Sequence, residues 1–97
     1  MVLVPVKLYS GLKEVIGKPT LVVQVPENSS VKDVLNKVTC QFKESLEQRY
    51  RWVEGEWDFL KYFMIFVNGT HLSHIGGLES KVRGGDVIEI REPISGG

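Results

Sequence analysis

Thr20-Leu21-Val22-Val23-Gln24-Val25-Pro26-Glu27-Asn28-Ser29-Ser30-Val31-Lys32-Asp33-Val34-Leu35 changes its hydrophobic period halfway along. Leu21, Val23 and Val25 recur at every second residue, the mark of a strand with one apolar face. Pro26-Glu27-Asn28-Ser29 closes that strand. Val31, Val34, Leu35, Val38, Phe42 and Leu46 then recur at helical spacing. Ser30 followed by Asp33 reads as a capping box with Asp in place of Glu, which sets the helix start. The expectation is one long helix of about four turns, its apolar stripe laid on a sheet.

Upstream, Val2 to Tyr9 alternates: Val2, Val4, Val6 and Leu8 on one side, Leu3, Pro5, Lys7 and Tyr9 on the other. Ser10 to Gly17 reads as a short helical turn, with Ser10 as N-cap and Gly17 as its stop. The compact connection predicts an antiparallel pair with the strand at Thr20 to Val25. Downstream, Arg49 to Lys61 interleaves Tyr50, Trp52, Trp57 and Phe59 with charges and is read as a helix end plus a loop. Tyr62 to Val67 is a third strand, with Phe63, Ile65 and Val67 inward and Met64 and Phe66 outward. Asn68-Gly69 predicts a type I′ hairpin turn, which needs two positive φ angles. Thr70-His71-Leu72 returns as a short strand, and Leu78 and Val82 plug the loop that follows. Gly84-Gly85-Asp86 turns into a last strand from Val87 to Arg91, with Ile88 and Ile90 inward. The order is ββαβββ, an α+β fold of two layers.

Composition narrows the function. Twelve basic residues balance twelve acidic ones in 97 residues, so there is no electrostatic footprint for nucleic acid or an anionic membrane. The single cysteine, Cys40, excludes an internal disulfide and fits a reducing, cytoplasmic setting. No segment approaches membrane-spanning length.

The sequence ends on Pro93-Ile94-Ser95-Gly96-Gly97. Two glycines without Cβ atoms suit a thin tail able to thread a narrow channel; they also fit a frayed terminus. Residues 1–92 are expected to form the folded domain and 93–97 the tail. The reactive group expected here is the main-chain carboxylate of Gly97.

With the whole order in view, the chain resembles the β-grasp sulfur carriers: the ubiquitin-like small subunit of molybdopterin synthase (MoaD) and the thiamin carrier (ThiS). The resemblance rests on Val25-Pro26-Glu27 with Val31-Lys32-Asp33-Val34-Leu35, on Val67-Asn68-Gly69, and on Gly84-Gly85-Asp86-Val87-Ile88-Glu89-Ile90 followed by the Gly-Gly ending. It is closer to the molybdopterin branch. It implies a β-grasp, a mixed sheet of about five strands whose first and last strands lie side by side and parallel. It implies a protein that is no enzyme by itself. A ubiquitin-activating-type adenylating enzyme would use ATP and Mg to make an acyl-adenylate on Gly97. A sulfur donor enzyme would convert that to a thiocarboxylate. The large subunit of molybdopterin synthase would receive the sulfur for a pterin dithiolene. Developing charge would be handled by the partner's donors, and the carrier would supply positioning alone. The outer sheet face implied to meet these partners carries Tyr9, Met64, Phe66, His71 and Arg91. Glu92-Pro93 stands where many relatives have Pro-Pro, and Arg91 and His71 make the face more polar than is usual.

Two other functions stand beside it: a covalent modifier joined to lysines through Gly97, and a non-covalent interaction module that shares the β-grasp fold and makes no use of the ending. No metal site is expected. His71 and His74 have suitable spacing but no third ligand. Cys40 falls off the helical stripe, with no neighbour to lower its pKa. Trp52 and Trp57 could stack on bases; a hydrophobic cluster or a protein contact fits the neutral charge better.

Overall fold

The computed structural model describes residues 1–50 and 59–92. Trp52, Trp57 and the tail from Pro93 to Gly97 lie outside the described residues.

The elements run β1 (Val2–Leu8), α1 (Ser10–Ile16), β2 (Thr20–Val25), α2 (Val31–Gln41), α3 (Lys43–Tyr50), α4 (Phe59–Tyr62), β3 (Met64–Val67), β4 (Thr70–His71) and β5 (Ile88–Arg91). Two 3₁₀ turns, Leu72–His74 and Gly77–Glu79, sit between β4 and β5. The strands form one five-stranded mixed sheet in the order β2-β1-β5-β3-β4. β1 pairs antiparallel with β2, from Val2↔Val25 to Lys7↔Thr20. It pairs parallel with β5 through Val6↔Ile88, Lys7↔Glu89 and Leu8↔Ile90. The first and last strands therefore lie side by side and parallel.

One face of the sheet is apolar along β1, β2, β3 and β5. Val4, Val6, Leu8, Leu21, Val23, Val25, Ile65, Val67, Ile88 and Ile90 are all buried there. Against them α2 lays Val31, Val34, Leu35 and Val38, also buried. The capping box is present: Asp33 N–H donates to Ser30 Oγ at 3.2 Å, and Ser30 N–H donates to Asp33 Oδ2 at 2.9 Å. Val82 plugs the loop, and Leu78 packs partly buried against the core.

The single long helix is not observed. The chain leaves helical geometry at Phe42 (φ −118°, ψ 27°) and resumes as α3. One feature stands beside the break: Thr39 Oγ1 bonds back to Leu35 O at 2.9 Å, a contact that bends helices. After the break Leu46 is fully buried.

Other boundaries shift locally. The N-cap of α1 is Tyr9, in extended geometry and without a side-chain cap. Ser10 instead takes φ +50°, the left-handed turn that carries the chain out of β1. Gly17 does stop the helix, at φ +84°. Of Arg49 to Lys61, read as a helix end plus a loop, α3 does continue to Tyr50, residues 51–58 lie outside the described residues, and Phe59–Tyr62 is a helical turn where loop was expected. β3 starts at Met64, after that turn, and β5 at Ile88. Leu72 leaves β4 for a 3₁₀ turn once its side chain is buried.

Asn68 and Gly69 have φ +51° and +83°, as a type I′ turn requires. The tip is tied to the start of β5. Val87 N–H donates to Asn68 Oδ1, Asn68 Nδ2 donates to Asp86 Oδ1, and Asp86 Oδ2 accepts from Arg83 N–H. These bonds fix the register of β5, the strand that leads to the tail.

Candidate functional site

The sheet's second face is open. Strand alternation sends Lys7, Met64, Phe66, Glu89 and Arg91 to the side opposite the helices, with Leu3 and Val22 beyond them, 56% and 63% exposed. Tyr9 follows Leu8 out of β1 onto the same side. Cross-strand register places Met64 opposite Arg91, Phe66 opposite Glu89, and Phe66 opposite His71. The five residues expected on this face are therefore brought together.

At the centre is Glu89, which the sequence reading passed over. Tyr9 Oη donates to Glu89 Oε2 at 2.8 Å, and Arg91 Nη2 donates to the same oxygen at 3.1 Å. The Arg91 guanidinium carbon lies 4.2 Å from the Tyr9 ring centroid, a cation–π distance. The Tyr9 hydrogen bond, ahead of Arg91 and Lys7, holds the Glu89 carboxyl below its ordinary pKa. The same bond raises the Tyr9 hydroxyl. Alternation alone would have found Glu89, since inward Ile88 and Ile90 force it outward.

Beside this trio, Phe66 and His71 meet edge-to-face at 5.4 Å. His71 Nδ1 accepts from Ser73 N–H at 3.1 Å, so one ring nitrogen is committed to the backbone. The His71 and His74 rings lie 6.2 Å apart, and among the described residues no group of three or more His, Cys, Asp or Glu could hold a metal. Cys40 is exposed on α2. No helix among the described residues is long and apolar enough to cross a membrane.

A second cluster stands where the described chain ends. Glu92 follows β5 and turns toward the helices. Tyr50 Oη donates to Glu92 Oε1 at 2.7 Å. Burial, followed by that bond to a carboxylate, raises the Tyr50 pKa strongly. The Tyr50 ring packs edge-to-face on Phe63 at 5.0 Å and tilted on Tyr62 at 5.5 Å. These partners are remote in sequence, and no local pattern announces them.

The face presents aromatic and apolar surface around a three-membered polar network, beside the exit of β5.

The ThiS family model matches residues 6–97, and the chain belongs to the ThiS family of ubiquitin-like small proteins. Among curated proteins it is similar to small archaeal modifier protein 3 of Haloferax volcanii, 23% identical over 95 residues, covering 94% of this chain and 95% of that one. Among solved structures it is similar to small archaeal modifier protein 1 of Methanosarcina acetivorans (29% identity, TM-score 0.78, covering 100% of this chain and 98% of the other). The fold also matches a chain from the complex of subunits 1 and 2 of the molybdopterin-converting factor of Helicobacter pylori (20% identity, TM-score 0.60, covering 99% and 100%).

Proposed function

We propose that this chain is a carrier whose reactive atom group is the main-chain carboxylate of Gly97, activated as an acyl-adenylate by a partner enzyme. The observation that carries this reading is the family match, which continues past the sheet through the Gly-Gly ending to residue 97. A carboxylate is a poor electrophile because its charge is delocalised and oxide is a hopeless leaving group. ATP with Mg supplies AMP as a good one. The outer sulfur of a persulfide on a sulfur donor enzyme then attacks the carbonyl and displaces AMP, giving an acyl disulfide; a second thiol attacks the donor's own sulfur of that disulfide, becomes disulfide-bonded to the donor, and releases a thiocarboxylate on Gly97. Its soft sulfur is passed to a pterin precursor held by a larger synthase subunit. Tyr9, Met64, Phe66, His71 and Arg91 dock these partners, while Pro93, Ile94, Ser95 and Gly96 span the distance into the partner's site.

A second fate of the same adenylate is supported by the two small archaeal modifier proteins among the relatives. A lysine amine replaces the sulfur nucleophile and gives an isopeptide bond. Both fates share the activation step. Deleting Gly96-Gly97, or adding residues after Gly97, is expected to abolish ATP-dependent adenylation while leaving thermal unfolding unchanged. Full activity in either variant contradicts both fates and leaves a non-covalent module. Cell-wide peptide mapping separates them: Gly97 linked to lysines supports the modifier, and pterin deficiency on deletion supports the sulfur carrier.

A further inference from the structure

The base of the tail is not simply the frayed end of a strand. Glu92 is the last described residue, and its carboxylate turns inward to meet the final residue of α3. Three separate features hold it. Tyr50 donates to Glu92 Oε1 at 2.7 Å. The Tyr50 ring is fixed by edge and tilted contacts with Phe63 and Tyr62, and Phe63 is buried, so the donor is aimed before the acceptor arrives. Gly11 of α1 leaves the space: a methyl group built there would stand 2.6 Å from Glu92 Oε1, 2.9 Å from Arg49 Nη2 and 3.3 Å from Tyr50 Oη. Gly11 has no positive φ, so its backbone does not demand glycine; the converging carboxylate, guanidinium and phenol do.

We propose that Tyr50, Gly11 and Glu92 form a clasp that fixes where the tail leaves the domain. This inference rests on the proposed role of Gly97. With Glu92 held, five residues separate a fixed point from the reacting carboxylate. Without the clasp, the last fixed point lies at Arg91 or earlier, and the position of Gly97 relative to a docked partner is less well defined. Reaction rates fall when a reacting group is less well positioned. Glu92 and Tyr50 are thus positioning residues, and neither touches the reacting atoms.

The geometry supplies a variant that opens the clasp with little harm to the fold. Gly11→Ala meets only the far ends of the flexible Glu92 and Arg49 side chains and the Tyr50 hydroxyl. In a helix, alanine is itself favoured over glycine. Tyr50→Phe removes the donor and keeps the ring packing. Glu92→Gln keeps an acceptor for Tyr50 Oη and serves as the conservative rescue.

Two measurements on the full chain test the clasp. In ¹⁵N relaxation, the unaltered chain is expected to keep rigid-body order through the Glu92 amide; in Gly11→Ala and Tyr50→Phe that order is lost at Glu92 and at or before Arg91. With an adenylating enzyme, ATP and Mg, those variants are expected to lose about threefold to tenfold in kcat, with KM within about twofold because the docking face is untouched. Glu92→Gln is expected to stay near the unaltered values. Relaxation profiles unchanged in both variants overturn the clasp, whatever the tail does. Changed profiles with unchanged kcat overturn its part in activation. An unaltered chain that is never adenylated overturns the role of Gly97, and with it any contribution of the clasp to that step, while the relaxation data still decide whether the clasp exists.

Discussion

The two faces of the sheet are built from the same strands and differ in almost everything else. Along β1, β2, β3 and β5 the inner face carries Val, Ile and Leu, nearly all of them buried beneath α2 and its neighbours. The outer face carries Tyr9, Glu89, Arg91, Lys7, Met64 and Phe66, with Tyr9 and Arg91 tied to the Glu89 carboxylate. A strand with period two can meet two demands because its side chains never share a face. Burial fixes the inner choice, since a polar group there would lose water without gaining a partner. The outer face is free of that demand and can be specified by whatever docks on it.

This contrast breaks if substitutions on either face behave alike. Ile88→Ala, fully buried in β5, is expected to cost about 2–5 kcal/mol and to lower the melting temperature by more than about 10 °C. The loss is read by calorimetry; a change within about 1 °C would mean that the inner face does not hold the fold together. On the outer face, Phe66→Ala and Arg91→Ala are expected to shift stability by no more than about 1 kcal/mol, yet to weaken binding to the adenylating enzyme at least about tenfold. Titration calorimetry with that enzyme checks this, and unaltered affinity would separate the face from docking.

Smaller effects sharpen the comparison. Ser30→Ala removes the cap of α2, touches neither face, and is expected to cost about 1 kcal/mol. Denaturant titration should report it with an unchanged slope. The smallest effect is in acid. Asp33 is held below its ordinary value of 3.8, chiefly by the Ser30 backbone N–H, and Glu89 below 4.5, chiefly by the Tyr9 hydroxyl. Both carboxylates have lower pKa values folded than unfolded. Each therefore contributes stability that is present above its ordinary value and is lost as pH falls through the depressed one. Melting temperature followed downward from above pH 4.5 should drop, and Glu89→Gln should flatten the share that comes from the outer face.

Much of the fold was legible because its signals are local. Alternation at Val2 to Leu8 and Thr20 to Val25, the Ser30–Asp33 box and the Asn68-Gly69 turn each depend on residues a few positions apart. The break at Phe42 was not legible, because the same stripe fits a straight helix until the sheet beneath fixes where Leu46 must go. The shift of the cap from Ser10 to Tyr9 was not legible either, because it lies in the backbone, extended at Tyr9 and left-handed at Ser10. At the site, period two found Tyr9, Met64, Phe66 and Arg91 together. The Tyr50–Glu92 contact joins residues 42 apart in sequence and carries no periodic signal at all. Trp52, Trp57 and the tail were read from sequence alone and lie outside the described residues.

The central claim is chemical, and intact-protein mass spectrometry tests it most directly. The full chain is incubated with an adenylating enzyme, ATP, Mg, a persulfide donor and a thiol reductant that cleaves the acyl disulfide. The account predicts replacement of one carboxyl oxygen by sulfur, located at Gly97 and absent without ATP. A chain that keeps its original mass under conditions where that enzyme activates a known carrier would contradict it.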